Sequence, residues 1–104
     1  MKEIIIVADY TEDSTLTATE LCEACRIDER LLHEFVANDI IMPESAQSGG
    51  WVFDMSGLKR LRLALRLQRD LELNTAGLAL VLQLLDEMDE MRELTNVYHR
   101  HYLK

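Results

Sequence analysis

The sequence is short of basic residues, and this shortage argues against a nucleic-acid-binding protein. Lys and Arg number 11 against 19 Asp and Glu, which gives the 104-residue chain a formal net charge of -8. Because a phosphate backbone is held mainly by Lys and Arg, this balance argues against autonomous binding of nucleic acid. The 48% of apolar residues are enough for one domain with its own core.

Cysteine and long apolar runs are scarce as well. Cys22 and Cys25 lie in one short segment and cannot join distant parts of the chain. We therefore expect a reducing, cytoplasmic compartment. The apolar run Ile4–Val7 is too short for a membrane span or for the apolar centre of a signal peptide.

Two short helices are predicted in the first half of the chain. A capping box starts the first helix, because Thr17 stands three residues before Glu20. Asp28 can cap the second helix, and apolar residues recur at helical spacing behind each cap. Two helices joined by a tight turn predict a helix-turn-helix in residues 16–43.

A small β element and two longer helices complete the predicted fold. Ile4–Val7 indicates a short N-terminal strand, and Trp51–Phe53 indicates another after a Ser- and Gly-rich loop, within a wing at residues 44–54. Leu residues at three- and four-residue spacing predict helices in residues 55–97, with a tail at 98–104. The expected fold class is mainly α: a single-domain winged helix-turn-helix with a long C-terminal helix.

The charges are segregated along the chain. Residues 1–54 carry twelve acids and three bases, residues 55–71 one acid and five bases, and residues 72–104 six acids and three bases. The five bases of the middle segment are Lys59, Arg60, Arg62, Arg66 and Arg69. The simplest interpretation of this cluster is a solvated helix face or pairing within the chain with the acidic first half. A stripe that binds an anion or an acidic partner is the alternative.

No enzyme, metal site or cofactor is predicted. Cys22 and Cys25 form a CxxC pair without a second pair, so small core residues are the simplest interpretation and a redox or zinc sensor is the alternative. A phosphate-cradling loop would need more glycine than the isolated Gly49–Gly50 pair. We therefore expect a binding protein.

The helix-turn-helix and the strand after it resemble those of MerR-type regulators. The likeness begins in the run Ile27–Pro43. Those regulators typically carry Arg-Tyr-Tyr where this chain has His-Glu-Phe at His33–Phe35, and Gly-Tyr-Arg-x-Tyr where it has Gly-Trp-Val-Phe at Gly50–Phe53. The resemblance implies a scaffold that is kept while its DNA-facing chemistry is lost, with Trp51 and Phe53 buried against the helices.

A closer resemblance is to the chaperone modulator CbpM family, small acidic proteins with a degenerate MerR-like fold. The matching motifs are Thr17–Cys22, Trp51–Asp54, Gly77–Ala79 and Leu84–Glu87. The resemblance implies a regulatory adaptor that binds the J-domain of a DnaJ-like co-chaperone of the CbpA type. It also implies inhibition of that protein's co-chaperone and DNA-binding activities.

The resemblance does not identify contact residues, so charge alone suggests them. J-domains characteristically present a basic helix to Hsp70, which an acidic helical surface could occupy. The candidate partner-binding residues are the acids of the second helix and of the last helix: Glu34, Asp39, Asp86, Asp89, Glu90 and Glu93.

Two further expectations concern the last helix and the basic cluster. A seam through Leu85, Met88 and Met91 or Arg92 would close on the chain's own core or on a second copy, giving a homodimer. The alternative function is a DNA-binding transcriptional regulator of MerR type. Its phosphate contacts would be Lys59, Arg60, Arg62 and Arg66.

Overall fold

The computed structural model of the protein describes residues 13–47 and 49–102. The strand predicted at Ile4–Val7 lies outside these residues. The elements are β1 Thr15–Thr17, α1 Ala18–Cys25, α2 Glu29–Ala37, β2 Ser45–Gln47, β3 Gly50–Asp54, α3 Met55–Leu71 and α4 Thr75–Tyr102. This mainly helical architecture with a small sheet and a long last helix confirms the predicted fold class.

Both short helices begin where their capping residues predict. The Glu20 N–H donates to the Thr17 hydroxyl at 3.1 Å, and the Thr17 N–H donates to the Glu20 carboxylate at 2.9 Å. This exchange satisfies amides that a helix start leaves open. The Leu31 N–H donates to the Asp28 carboxylate at 2.9 Å. A turn with Arg26 in the left-handed region, at a φ of 58°, joins the helices and completes the helix-turn-helix.

A three-stranded antiparallel sheet lies beside the helices, with its strands in the order β1-β3-β2. Leu16 pairs with Phe53 on one side of the central strand, and Ala46 pairs with Trp51 on the other. The prediction of a loop over residues 44–50 is wrong at β2. A Ser-Ala-Gln segment has no apolar alternation to mark it, and it becomes a strand by pairing with β3.

One core joins the sheet to the helices. Its large, fully buried side chains are Leu16, Leu21, Leu32, Phe35, Ile40, Phe53, Leu58, Leu61, Leu78 and Leu82. Phe53 is 0% exposed, whereas Trp51 is half-buried and meets the Phe53 ring edge-on, with centroids 6.3 Å apart. The expected burial of both aromatic residues therefore holds fully for Phe53 and in part for Trp51.

The two longer helices also start at capping residues. A backbone N–H in the first turn of α3 donates to the Asp54 carboxylate at 2.9 Å, and one in the first turn of α4 donates to the Asn74 side chain at 2.7 Å. α4 runs on to Tyr102, through most of the segment predicted as a tail. None of the described helices has the length and apolarity that crossing a membrane requires.

Candidate partner-docking surface

The first two candidate acids belong to the end of α2. Glu34 is exposed, and its carboxylate accepts a hydrogen bond from the hydroxyl of Thr75, the first residue of α4. Asp39 follows α2 with a left-handed φ of 60°. This turn allows the Ile40 N–H to donate to the Phe35 carbonyl oxygen at 2.9 Å. The hydrogen bond from Thr75 holds Glu34 beside the start of α4. Asp39 directly precedes Ile40, which is buried in the core.

Arg60 joins this end of α2 to the middle of α4. Its Nη1 and Nη2 donate to the two carboxylate oxygens of Asp86, each at 2.8 Å, and its Nε donates to the Ile40 carbonyl oxygen at 3.0 Å. Two parallel bonds to one carboxylate are the strong geometry for an arginine. Because Ile40 directly follows Asp39, the side chain of Arg60 links the end of α2 to Asp86 of α4.

The contact with Arg60 lowers the pKa of Asp86 and compensates its negative charge. The hydrogen bond from the guanidinium, supported by its positive charge, holds the pKa of Asp86 below its ordinary value despite the opposing effect of partial burial. The carboxylate is therefore ionised at neutral pH, and a cation of the same chain already neutralises it. Asp86 thus fixes the position of α4. The uncompensated charge that a partner could bind lies elsewhere on the helix.

The stripe of α4 that packs into the core becomes acidic further along the helix. Leu78 and Leu82 are fully buried. Helical spacing of about 100° per residue places Asp86 and Glu93 on the same face, one turn and three turns beyond Leu82. Both acids are exposed. The inner face of the helix thus changes from apolar to acidic after the last buried leucine.

The remaining acids of this stretch are open to a partner. Asp89 pairs with Arg92 at 3.2 Å, but the two side chains are 72% and 68% exposed, so the pair contributes little to stability and can be exchanged for a partner's cation. Glu90 and Glu93 are exposed, and neither has an ion pair within the described part of the chain. Glu90 and Glu93 therefore carry negative charge that no cation of the described residues pairs with.

We call the set of six acids the acidic surface: Glu34, Asp39, Asp86, Asp89, Glu90 and Glu93. Along α4 it extends about 27 Å from Thr75, which contacts Glu34, to Glu93. The sequence supplied all six residues but not the link between the two groups. Arg60 was one of five bases in a cluster, and no local pattern connects it to an acid 26 residues later.

The side of the fold that a DNA-binding winged helix would use carries little positive charge. There is no Lys or Arg between Arg30 and Lys59 in the sequence. His33 of α2 packs edge-on against Trp51 of β3, with ring centroids 4.5 Å apart. Aromatic packing thus holds a position where a DNA-binding relative would need a contact to phosphate.

The two cysteines are core residues, as their helical spacing predicts. Cys22 and Cys25 are 5% and 7% exposed, and neither forms a disulfide. Burial raises the pKa of the Cys22 thiol, and the nearby charges of Glu29 and Asp28 raise it further. The protonated thiol is a poor nucleophile and a poor metal ligand. Among the described residues, no group of three or more His, Cys, Asp or Glu side chains could hold a metal ion.

The helix-turn-helix, the sheet and the long last helix together define a regulatory protein of MerR type. The family model described as "MerR HTH family regulatory protein" matches residues 16–97. This range includes both short helices, the sheet, all of α3 and most of α4.

Relatives that are similar over most of the chain identify a particular family within this class. A chaperone modulatory protein CbpM of Coxiella burnetii is 32% identical over 99 residues, which are 95% of this chain and 93% of the relative. Proteins of the same name from Citrobacter koseri and Salmonella arizonae are each 35% identical over 79 residues, which are 76% of this chain and 78% of the relative. The chain therefore belongs to the CbpM family of chaperone modulatory proteins, as its sequence motifs predicted.

Proposed function

We propose that this chaperone modulator binds the J-domain of a DnaJ-like co-chaperone of the CbpA type and inhibits its co-chaperone and DNA-binding activities. The observation that carries the proposal is the acidic surface, whose two parts are linked by the bonds of Arg60 to Asp86 and to the Ile40 carbonyl oxygen. A surface of this sign suits a basic helix. The cytoplasm is the compartment in which we expect the encounter, because both cysteines are buried thiols that form no disulfide.

The geometry of α4 supports a helix-against-helix contact. Asp86 to Glu93 spans about 10.5 Å, so exposed acids extend over two turns of the helix beyond the last buried leucine. Glu90 and Glu93 offer uncompensated charge, and Asp89 can exchange Arg92 for a cation of the partner. A J-domain helix held on this surface is no longer available to Hsp70, which gives inhibition by direct competition.

Calorimetric titration of a purified J-domain of this type into the full chain tests the proposal. We expect saturable binding at low salt that weakens as salt is raised, because exposed charge pairs are screened. The double variant Glu90→Gln/Glu93→Gln should bind about tenfold more weakly. Glu23→Gln removes an equally exposed acid from α1 and should leave the affinity unchanged.

Two results would contradict this proposal. The first is an absence of binding at low salt. The second is equal affinity of the double variant and the unsubstituted chain, which would remove α4 from the interface even if the J-domain were the partner.

We also propose that the chain forms a homodimer through the other side of α4. Leu84, Met88 and Met91 are 49%, 53% and 65% exposed, and their spacing of four and three residues forms a coiled-coil seam opposite the acids. The seam expected from the sequence is shifted, because Leu85 packs partly against the core and Arg92 pairs with Asp89. Two copies joined at this seam would keep their acidic surfaces exposed.

Sedimentation velocity of the full chain tests the homodimer. Met88→Glu/Met91→Glu places charge in the seam, so we expect this variant to sediment as a monomer at concentrations where the unsubstituted chain is a dimer. Glu90→Gln/Glu93→Gln, on the opposite face, should remain dimeric. A monomeric unsubstituted chain at high concentration would rule the dimer out.

The alternative function is DNA-binding transcriptional regulation, which the match to MerR regulatory proteins favours. Arg60 is not available for it, because its guanidinium is bonded to Asp86 and Ile40. Lys59, Arg62 and Arg66 of α3 are the bases that would meet phosphate. A gel shift with genomic fragments at moderate salt tests this alternative, since a regulator protects a defined sequence.

A further inference from the structure

A groove along α3 combines an apolar floor with a row of cations. Its volume is about 740 Å³, which lies in the range of ligand-binding sites. Ile27, between α1 and α2, and Leu63 of α3 are half-buried and contribute apolar surface to it. Its basic lining residues are Lys59, Arg62, Arg66 and Arg69. We call this feature the basic groove.

The spacing of the four cations indicates the shape of what they bind. Steps of three, four and three residues place all four on one face of α3, and Lys59 is about 15 Å from Arg69 along the helix axis. A small anion needs its cations to converge on one point, and a row of this length does not. The row instead matches a ligand whose negative charges repeat once per helical turn.

Lys59, Arg66 and Arg69 are accessible to such a ligand. Lys59 and Arg66 are exposed. Arg69 pairs with Asp70 at 3.1 Å, but their side chains are 75% and 55% exposed, so solvent screens this pair and a ligand can displace it. The chain is acidic overall, with a net charge of -8, yet this one helix presents a continuous positive stripe.

We propose that the basic groove docks an acidic amphipathic helix of a partner protein. Apolar side chains of that helix would lie on the floor around Ile27 and Leu63, while its acids would meet the cations of α3. This is the helix-in-groove mode of recognition, in which buried apolar area supplies affinity and the flanking charges supply orientation.

Two other polyanions fit the groove less well. The sugar-phosphate backbone of DNA has no apolar face to place on Ile27 and Leu63, and the twelve acids of residues 1–54 would repel a long duplex. An anionic membrane is a flat surface that binds protruding apolar residues, whereas the apolar residues here line a concavity. A short helix with its own apolar stripe satisfies both features of the groove.

The basic groove is separate from the acidic surface. Arg60 follows Lys59 in the sequence, but its side chain points about 100° away around α3 and reaches Asp86 and Ile40. The groove therefore lies on a different face of the same helix. The inference goes beyond the proposed function, because it gives the adaptor a second partner of opposite charge to the first.

Fluorescence anisotropy with a labelled peptide tests the groove. The probe is a helix-forming peptide of about 14 residues, long enough to span the four cations, with Leu at three- and four-residue spacing and Glu on both flanks. We expect the full chain to bind it saturably. Lys59→Glu/Arg66→Glu should weaken binding at least about tenfold, and Lys59→Gln/Arg66→Gln should weaken it less.

Matched controls separate docking from general attraction between charges. Arg30→Glu/Arg100→Glu reverses two exposed cations outside the groove and should leave the affinity unchanged. A probe with its Leu residues replaced by Ser should bind at least about tenfold more weakly, because the floor contact is lost. Thermal melts of each variant confirm that it is folded.

Several outcomes would overturn the proposal. One is an absence of saturable binding, and another is equal binding of the Leu and Ser probes. A third is unchanged affinity in Lys59→Glu/Arg66→Glu. Tighter binding of duplex DNA or of phosphatidylglycerol vesicles than of the peptide, lost in the same variant, would assign the groove to that polyanion instead.

Discussion

The two halves of α4 share one sequence pattern and differ in what they contact. In residues 75–85 the apolar stripe ends in the core, where Leu78 and Leu82 are fully buried. In residues 86–102 Met88 and Met91 are more than half exposed, and acids occupy the stripe that faced the core. Periodicity thus identifies an amphipathic helix, but it does not identify the surface that covers its apolar face.

Matched substitutions to Ala in the two halves of α4 test this difference most strongly. Leu82→Ala should lower the free energy of unfolding by about 2 to 5 kcal/mol, because it opens a cavity in the core. Met91→Ala in a dilute, monomeric sample should lower it by less than about 0.5 kcal/mol, because the side chain is already exposed. Urea denaturation of both variants measures the two values. Equal losses would mean that residues 86–102 are packed as tightly as the core.

A second comparison is between two arginine–aspartate pairs, one that joins Arg60 of α3 to Asp86 of α4 and one within α4. Arg60→Met should cost about 1 to 2 kcal/mol, because it breaks a bidentate pair and leaves the Ile40 carbonyl oxygen without its donor. Arg92→Met removes the exposed pair with Asp89 and should cost less than about 0.5 kcal/mol. The measurement is again urea denaturation at neutral pH. A larger loss in Arg92→Met would reverse the roles assigned to the two halves.

The Arg60 contact also predicts how stability depends on pH. The pKa of Asp86 is lowered in the folded state, so its contribution is complete above the unfolded pKa of about 3.9 and is lost as the pH falls through the folded pKa. The difference in unfolding free energy between the unsubstituted chain and Asp86→Asn should therefore shrink below about pH 4. Asp54, whose pKa the Ser56 hydroxyl and Gly57 amide lower, adds acid sensitivity that Asp86→Asn retains. Thermal melts between neutral and acidic pH measure this convergence, and a constant difference would contradict it.

The smallest effect on stability is expected at the residues that we assign to the partner. Glu90→Gln/Glu93→Gln should change the free energy of unfolding by less than about 0.5 kcal/mol, because neither side chain has an ion pair within the described residues. Its effect should be seen only in binding. A clear loss of stability in this variant would show that these acids belong to the fold.

Much of the fold could be predicted because its signals are local. Thr17 and Asp28 each cap the helix that follows them, as the sequence indicates. Leu61, Leu63, Leu65 and Leu67 alternate as in a strand, yet they lie in a helix of strong helix formers. A cap acts within one turn, so a few neighbouring residues are enough to predict it.

What could not be predicted depends on residues far apart in the chain. β2 forms because β3 offers it a pairing edge, and its own Ser-Ala-Gln sequence has little strand propensity. Arg60 belonged to a basic cluster in the sequence, yet in the structure it is bonded to Asp86 and to Ile40. The same bonds decide which candidate acid is compensated and which remain open to a partner.

The sequence alone determined the helices, the capping residues and the separation of acidic from basic segments, because each of these follows from short-range chemistry. The motifs that it carries were also enough to indicate the family. Only the tertiary structure decided which side of each helix is covered and which charges are paired. Burial and ion pairing join residues through space, and Arg60 reaches its acid 26 residues away only once α3 and α4 have packed.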